Sequence, residues 1–472
     1  MDYEQIKTLA KAHKISAKEL LALAPGNDPF YVGQPSQKQW AQWFSELWAR
    51  LGLGTGVHLR RIHYQLVSQD PPIVTPSGNL YQNGDHDWNT LNCASKWARY
   101  LGLIALDAFV DRRNPEPILN NESISSDNQT SPETGIYGQW DEDGYSLPQV
   151  PELPNLPATL LALPEFGVSG YDNTPQPFLI EIWAEKTTMN DVLEPLCREY
   201  QVNLITGAGE LSITAVSKSF FARLRRAAKP ARILYISDFD PAGIGMPISV
   251  ARKIEFELYR QGSREDIKLA PIVLTLGQIG KFRLPRVPVK DSDKRKDNFQ
   301  TAYGEGQVEL DALEALYPGE LAKIVESEIL KYYDPTLQRR ANRVEAALIT
   351  TLDDEREEIL ADVEVKRQAI EGEYDELLGE FEGTRNEFRE LVAGFQEKIN
   401  LYQERLAEIL AERKRLHYQV AREMAEVDID LASYAVPTPK LPPESESLLY
   451  DSQRDYLSQL DAYRKQRKGK AD

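Results

Sequence analysis

Cysteine is nearly absent: there are 2 in 472 residues, Cys93 and Cys197, far apart in the chain. A disulfide framework and a thiolate zinc site are therefore not expected, and a reducing, cytoplasmic setting fits. The 5 histidines show no metal-ligand spacing. Long apolar runs are missing, since nothing approaches the roughly 20 residues of a transmembrane helix, so no membrane partner is expected. The opening MDYEQIKTLAKAHK lacks the hydrophobic region of a signal peptide. There is no Walker A loop and no GxGxxG ahead of a helix, so no nucleotide-hydrolysis motor is visible. Positive charge is also in short supply. Lys and Arg number 55 against 73 Asp and Glu, a net −18, which argues against a simple basic nucleic-acid-coating protein. The excess is uneven. Residues 351–430 hold 23 acids and 11 bases and so carry 12 of the 18 excess charges, which leaves DNA binding open elsewhere.

What is present is enough apolar material, 42% of residues, for more than one core. A length of 472 suggests two to four domains. The fold class expected is multidomain, α/β plus α. Residues 1–113 read as an N-terminal helical and winged-helix domain. KQWAQWFSELWARLG puts Trp40, Trp43, Phe44 and Leu47 on one helical face. VHLRRIHYQLVS is a second helix, and PPIVTPSGNLYQN is a hairpin or wing turning at Ser77-Gly78-Asn79. NTLNCASKWARYLGLI is a further helix. Residues 114–175, rich in Pro, Ser, Asn and Glu, read as a linker or surface excursion.

From 176 to 345 strands alternate with helices: FLIEIWAE, QVNLITGAG, ARILYISDFDP and IKLAPIVLTL are the strands. This spacing implies βαβ units and a parallel sheet. Residues 346–435 are charged and poor in proline. Tyr374, Phe381, Phe388, Phe395, Tyr402, Ile409 and Leu416 recur every seven residues, with Leu378, Val392, Ile399, Leu406 and Val420 four residues after members of that series. That is the seam of a coiled coil or a helical hairpin, an interface for a homodimer or a partner protein. Residues 436–472 read as a flexible tail.

The chemistry concentrates in the α/β region. Glu185 ends one hydrophobic strand, and Asp238 and Asp240 end another. Strand side chains alternate, so Asp238 and Asp240 face one side. Functional groups in parallel α/β sheets gather beyond the carboxyl ends of the strands, where Glu185 would join them. Three clustered carboxylates call for a cation, and Mg²⁺ or Mn²⁺ is the natural one. Such a site suits phosphodiester chemistry. The plainer alternative is a strand-to-helix turn in which Asp240 caps the helix and Pro241 opens it.

The string AEK…ITGAG…DFDPAGIG resembles TOPRIM domains, and among them the A subunit of topoisomerase VI and its meiotic double-strand-break relatives. The family carries V-E-K, then G-K-G-x-P-D, then D-x-D-P-x-G. The resemblance implies that Glu185, Asp238 and Asp240 are the metal-binding acids. The middle motif here reads Gly207-Ala208-Gly209-Glu210-Leu211-Ser212, without the family's Lys, Pro and Asp. The same family places a winged-helix domain first, with R-[DE]-[IL]-[YF]-Y on its helix. Arg60-Arg61-Ile62-His63-Tyr64 stands in the matching order, with Arg61 and His63 as departures. The resemblance implies Tyr64 as the nucleophile toward a DNA phosphate, Arg60 as its helper and double-stranded DNA as the partner. It also implies a dimer whose composite sites pair the tyrosine of one subunit with the metal of the other. The covalent product would be a 5′-phosphotyrosyl end.

The helix pattern can be read without the family. Leu59, Ile62 and Leu66 make one apolar stripe, Tyr64 lies off it and Arg60 sits one turn earlier on the same side. The alternative is a tyrosine packed under the wing. Lys281, Arg283, Arg286, Lys290 and Arg295, interleaved with Phe282 and Phe299, form a basic loop after the sheet. With Arg61 they are candidates for holding a DNA backbone, against the alternative of a solvated loop. ELDAL (309–313) reads as a helix start with no chemistry. Three functions remain open: tyrosine transesterification, hydrolytic cleavage by the same metal site (as in defence against mobile DNA), and a non-catalytic DNA-binding scaffold using the coiled coil.

Overall fold

The computed structural model describes residues 2–110, 114–121, 131–138, 162–172, 174–207, 209–388, 396–443 and 448–469. The chain divides into two compact units. The first joins residues 1–126, 176–335 and 439–472. The second joins 127–175 and 336–438.

The first unit opens with α1 (Tyr3–His13), started by an Asp2/Gln5 capping box. Next come α2 (Pro35–Arg50), with Pro35 in its first turn, α3 (Leu59–Val67) and α4 (Asp85–Tyr100). Between α3 and α4 the chain makes a hairpin. Tyr81 donates its N–H to the Ile73 carbonyl, Val74 bridges Leu80, and Gly78 turns at φ +85. Ala41, Phe44, Leu47, Ile62, Leu66, Ile73, Tyr81 and Leu91 share one core with Trp40, Trp43 and Trp48 packed at its edge. The tryptophans are thus spent on packing.

In the second unit, β1 (Glu133–Tyr137) pairs antiparallel with β2 (Glu165–Ser169), with Gly135 opposite Gly167. Both strands fall in the stretch expected to be a linker or surface excursion. The rest of that stretch, apart from 114–121, 131–138, 162–172, 174 and 175, lies outside the described residues.

The first unit continues with β3 (Leu179–Ala184), α5 (Asn190–Glu199), β4 (Asn203–Thr206), α6 (Phe221–Ala227), β5 (Ala231–Ile236), α7 (Met246–Gln261) and β6 (Ile267–Val273). The four strands pair in parallel in the order β4-β3-β5-β6. Each βαβ crossover buries one face of the sheet, so the strands read as nearly continuous apolar runs. Leu179, Trp183, Ile233 and Tyr235 enter one core, and Ile180, Ile182, Leu234 and Ile236 the other. A charged group inside this sheet is matched. Glu181, fully buried, takes a two-pronged bond from Arg223 at 2.6 and 2.8 Å. Four helices follow: α8 (Leu276–Phe282), α9 (Lys296–Tyr303), α10 (Asp311–Leu316) and α11 (Glu320–Ile329).

The second unit then runs through α12 (Leu337–Phe388) and α13 (Gln396–Ala425). Lys366 reaches Gln419 and Thr384 reaches Tyr402, so the two helices are antiparallel. Val363, Tyr374, Leu377, Leu406, Ile409, Leu416 and Val420 fill the space between them. The heptad seam therefore closes within the chain as a helical hairpin. Val392 and Phe395, and the side chain of Phe388, lie outside the described residues.

Residues 436–472 were expected to be a flexible tail, and here the structure differs. In the first unit, β7 (Tyr450–Asp451) adds antiparallel to β6, and α14 (Tyr456–Arg467) packs Leu460 and Tyr463 into the sheet's core. Gln459 donates to the Leu449 carbonyl and accepts from the Asp451 N–H, fastening helix to strand. Among the described residues no helix is long and apolar enough to cross a membrane.

Candidate functional site

Strands β3 and β5 are neighbours in register, Ala184 opposite Ile236, so the residues that follow them emerge side by side. Glu185 follows β3, and Asp238 and Asp240 follow β5. Glu185 Oε2 accepts the Asp238 N–H at 3.2 Å. The glycine loop after β4 backs this arrangement: the Gly207 N–H bonds the Ala184 carbonyl, and the Gly209 N–H bonds the Glu185 carbonyl. Ala208 lies outside the described residues.

Asp240 caps a turn rather than the helix itself: α7 begins at Met246 after Gly245, so neither Asp240 nor Pro241 stands at the helix start. Asp240 Oδ1 accepts the N–H groups of Ala242 and Gly243 at 2.8 and 2.6 Å and caps the turn into α7. Its Oδ2 has no hydrogen bond among the described residues. Capping and metal binding use different oxygens of this carboxylate and are compatible. Gly243 is required by close approach: a Cβ there would lie 2.1 Å from the Asp238 carbonyl oxygen.

The tightest convergence of carboxylates is a different trio. Oxygens of Asp238, Glu309 and Asp311 lie within 4.8 Å of one another. Glu309 and Asp311 arrive because Phe239 and Val308 exchange both backbone hydrogen bonds, at 2.9 Å each, which extends the sheet past β5. Leu310 then turns inward and donates its N–H to Asp238 Oδ1 at 2.8 Å. Lys186 fills the focus, with Nζ 2.6 Å from Asp238 Oδ2, 3.5 Å from Asp311 and bonded to Glu309. The sequence offered a signal for these acids, a V-E-L-D alternation, but ELDAL read equally well as a helix start.

Charge crowding shows in the proton affinities. Burial first, then the Asp238 carboxylate, pushes Glu185 up to about 7. Burial also raises Asp238, against the pull of Lys186 and the Leu310 N–H. For Lys186, burial works to lower the ammonium, but bonds to Asp238 and Glu309 outweigh it and hold the group well above its ordinary range.

The donor set fits a hard divalent cation. All donors are carboxylate oxygens, and Glu185 and Asp238 resist joint ionisation without a positive charge. Asp238 is common to the trio expected from sequence and to the tighter one.

The basic loop divides by role. Arg286 is a strut, its guanidinium bonding the carbonyls of Tyr303 and Glu305 at 2.9 Å and lying over the Phe239 ring. It holds the segment that delivers Glu309. Arg295 is chelated by Asp293, the main cause of its upward shift, and the carboxylates of Asp240 and Glu210 add to it. Arg295 therefore lies within electrostatic range of the acids. Lys281, Arg283 and Lys290 are exposed and make no ion pair among the described residues.

Tyr64 and Arg60 lie on α3. Tyr64 is 54% exposed, which sets aside the reading of a tyrosine packed under the hairpin. Arg60 rests over the Trp88 ring and Arg61 is exposed. His63 is buried beneath them, its Nδ1 2.6 Å from the Tyr81 hydroxyl and its Nε2 3.1 Å from Asn83 Oδ1. Both ring nitrogens of His63 are thus partnered, and burial pushes the Tyr81 phenol well up. His63 is a satisfied core histidine. Among the described residues no hydrogen bond, ion pair or ring contact joins Tyr64 or Arg60 to Glu185, Asp238 or Asp240. No family model and no curated protein matches the sequence.

Proposed function

We propose that this chain cleaves phosphodiester bonds in double-stranded DNA with a divalent metal, Mg²⁺ or Mn²⁺, in the manner of a TOPRIM protein of the topoisomerase VI A type. The observation that supports the reading is the emergence of Glu185 and Asp238 side by side beyond the carboxyl ends of two adjacent parallel strands, with Asp238 also converging on Glu309 and Asp311. The hairpin and helices of residues 35–100 take the part of the winged-helix domain.

Tyr64 is the nucleophile. Its phenolic oxygen gives up its proton and bonds to phosphorus, the 3′ oxygen leaves and takes up a proton as the 3′ hydroxyl, and a 5′-phosphotyrosyl end remains. Arg60, one turn before Tyr64 and oriented by Trp88, clamps the phosphate. Glu185, Asp238 and Asp240 hold the cation, which supplies charge neutralisation at the phosphate. Arg61, Lys281, Arg283, Lys290 and Arg295 hold the DNA backbone. Arg286 supports the loop instead. A homodimer supplies Tyr64 of one copy to the acids of the other. The acidic outer faces of the helical hairpin repel DNA and suit a protein partner.

A hydrolytic reading draws on the same acids, since an acid site can activate water without a tyrosine. Covalent capture decides between them. Labelled duplex is incubated with the protein and Mn²⁺, stopped in detergent and compared with Tyr64→Phe. A detergent-stable, protease-sensitive adduct lost in Tyr64→Phe is expected. Free cut ends in both, without adduct, select hydrolysis. Intact duplex in both removes the cleavage reading and leaves a DNA-binding scaffold.

A further inference from the structure

The Lys186 ammonium already occupies a cation position. It lies 2.6 Å from Asp238 Oδ2 and 3.5 Å from Asp311, and it bonds Glu309 as well. Asp238 is the buried member of this group, its side chain 4% exposed, whereas Glu309 and Asp311 stand in solvent. A carboxylate so enclosed requires a positive partner. Its two oxygens are both committed: Oδ1 accepts the Leu310 N–H, and Oδ2 holds Lys186. Oδ2 is thus the oxygen that a metal ion would take, and the ammonium has it. Two cations cannot share that oxygen at bonding distance without strong repulsion.

We propose that Lys186 is a built-in counter-cation, and that a divalent ion engages Asp238 by exchange with the Lys186 ammonium rather than by addition beside it. The inference rests on the metal-centred reading above and concerns how that site loads. Exchange keeps the acids paired and the strand ends in place before any metal arrives. It also lowers the net affinity for metal, because the incoming ion must displace a charge-assisted hydrogen bond to Asp238 and one to Glu309. The flexible four-carbon stem of lysine allows the ammonium to leave without moving the backbone.

The test is calorimetric titration of the full chain with Mn²⁺ alone, without DNA. Exchange expects Lys186→Met to bind Mn²⁺ about tenfold more tightly or better, since a like charge next to the ion is removed. Lys186→Arg keeps the charge and stays close to wild type. That rescue separates competition by charge from a merely structural role. Lys186→Gln, also neutral, provides the same readout where Lys186→Met does not fold, and circular dichroism confirms the fold of each variant. Wild-type binding that is unchanged or weakened in the neutral variants overturns the exchange and leaves the metal-centred reading intact. No Mn²⁺ binding by wild type or any variant overturns both.

Discussion

Glu185 Oε2 accepts the backbone N–H of Asp238 at 3.2 Å, so the acids that end β3 and β5 are registered on each other by the sheet itself. The relationship has a cost. It brings two carboxylates together in a half-buried space, and Glu185 is pushed up to about 7, by burial first and then by Asp238.

Metal affinity should therefore depend on pH near neutrality. A cation needs the Glu185 carboxylate, so protons compete with it. Mn²⁺ affinity is expected to fall by about tenfold for each pH unit below 7 and to level off above it. Titrations at pH 6, 7 and 8 check this, and Glu185→Gln should flatten the profile. The metal-free fold behaves oppositely. A carboxyl raised from 4.5 to about 7 contributes stability that is fully present below 4.5 and lost as pH rises through 7. Denaturant midpoints of the metal-free protein should decline over that window, and less so in Glu185→Gln. A profile independent of pH in both experiments would show that Glu185 is not a ligand.

Asp238→Asn isolates the charge at the centre. The amide oxygen still accepts from Leu310, so the fold persists, while Lys186 and any metal lose their shared anion. Cleavage is expected to fall by about a hundredfold or more, with Mn²⁺ binding lost in parallel. Retained cleavage would move the metal to acids other than Asp238.

Tyr64→Phe should leave stability within about ±0.5 kcal/mol, because the ring is half out in solvent and its hydroxyl has no partner among the described residues. The DNA adduct should vanish all the same. A variant that unfolds instead would place the tyrosine in the core of the helical cluster and remove the basis for its chemistry.

How much of this was legible depended on what kind of signal each residue left. The sheet was legible because β3 and β5 are buried on both faces and read as nearly continuous apolar runs, each broken by a single charged residue. Glu185 and Asp238 stood out because a carboxylate that ends such a run has few structural excuses. Tyr64 was placed outward by helical period alone, and it is outward. Glu309 and Asp311 were missed because their partner is 72 residues away: Leu310 bonds Asp238 only after Val308 pairs with Phe239. Composition hid β1 and β2, which are short and rich in glycine. Arg286 looked like a DNA contact because nothing local reveals that its guanidinium bonds the carbonyls of Tyr303 and Glu305.

Gly243 offers a test of the turn that carries the acids. A methyl group there would sit 2.1 Å from the Asp238 carbonyl oxygen, and backbone does not yield as a flexible side chain does. Gly243→Ala is expected to cost about 1–3 kcal/mol in urea unfolding. Mn²⁺ affinity should drop with it, since the same shift moves the Asp238 backbone. A stable variant with normal affinity would mean that the turn relaxes without disturbing the site.

The C-terminal helix makes the sharpest contrast between composition and packing. The polar stretch after Val436 gives no apolar run, yet α14 places Leu460, 1% exposed, and Tyr463 against the sheet. Arg252 of α7, fully buried, is held there by Asp28 at 3.2 Å from the N-terminal side and by the Tyr456 hydroxyl at 2.6 Å from the C-terminal side. That guanidinium is tolerable in the interior because partners from both chain ends surround it. Leu460→Ala removes buried methyl groups from α14 alone and is expected to destabilise the first unit by about 2–5 kcal/mol. Hydrogen exchange should show faster opening of β6 and β7 in that variant, because β7 is fastened to α14 through Gln459. An unchanged stability would return residues 448–469 to the status of a dispensable tail.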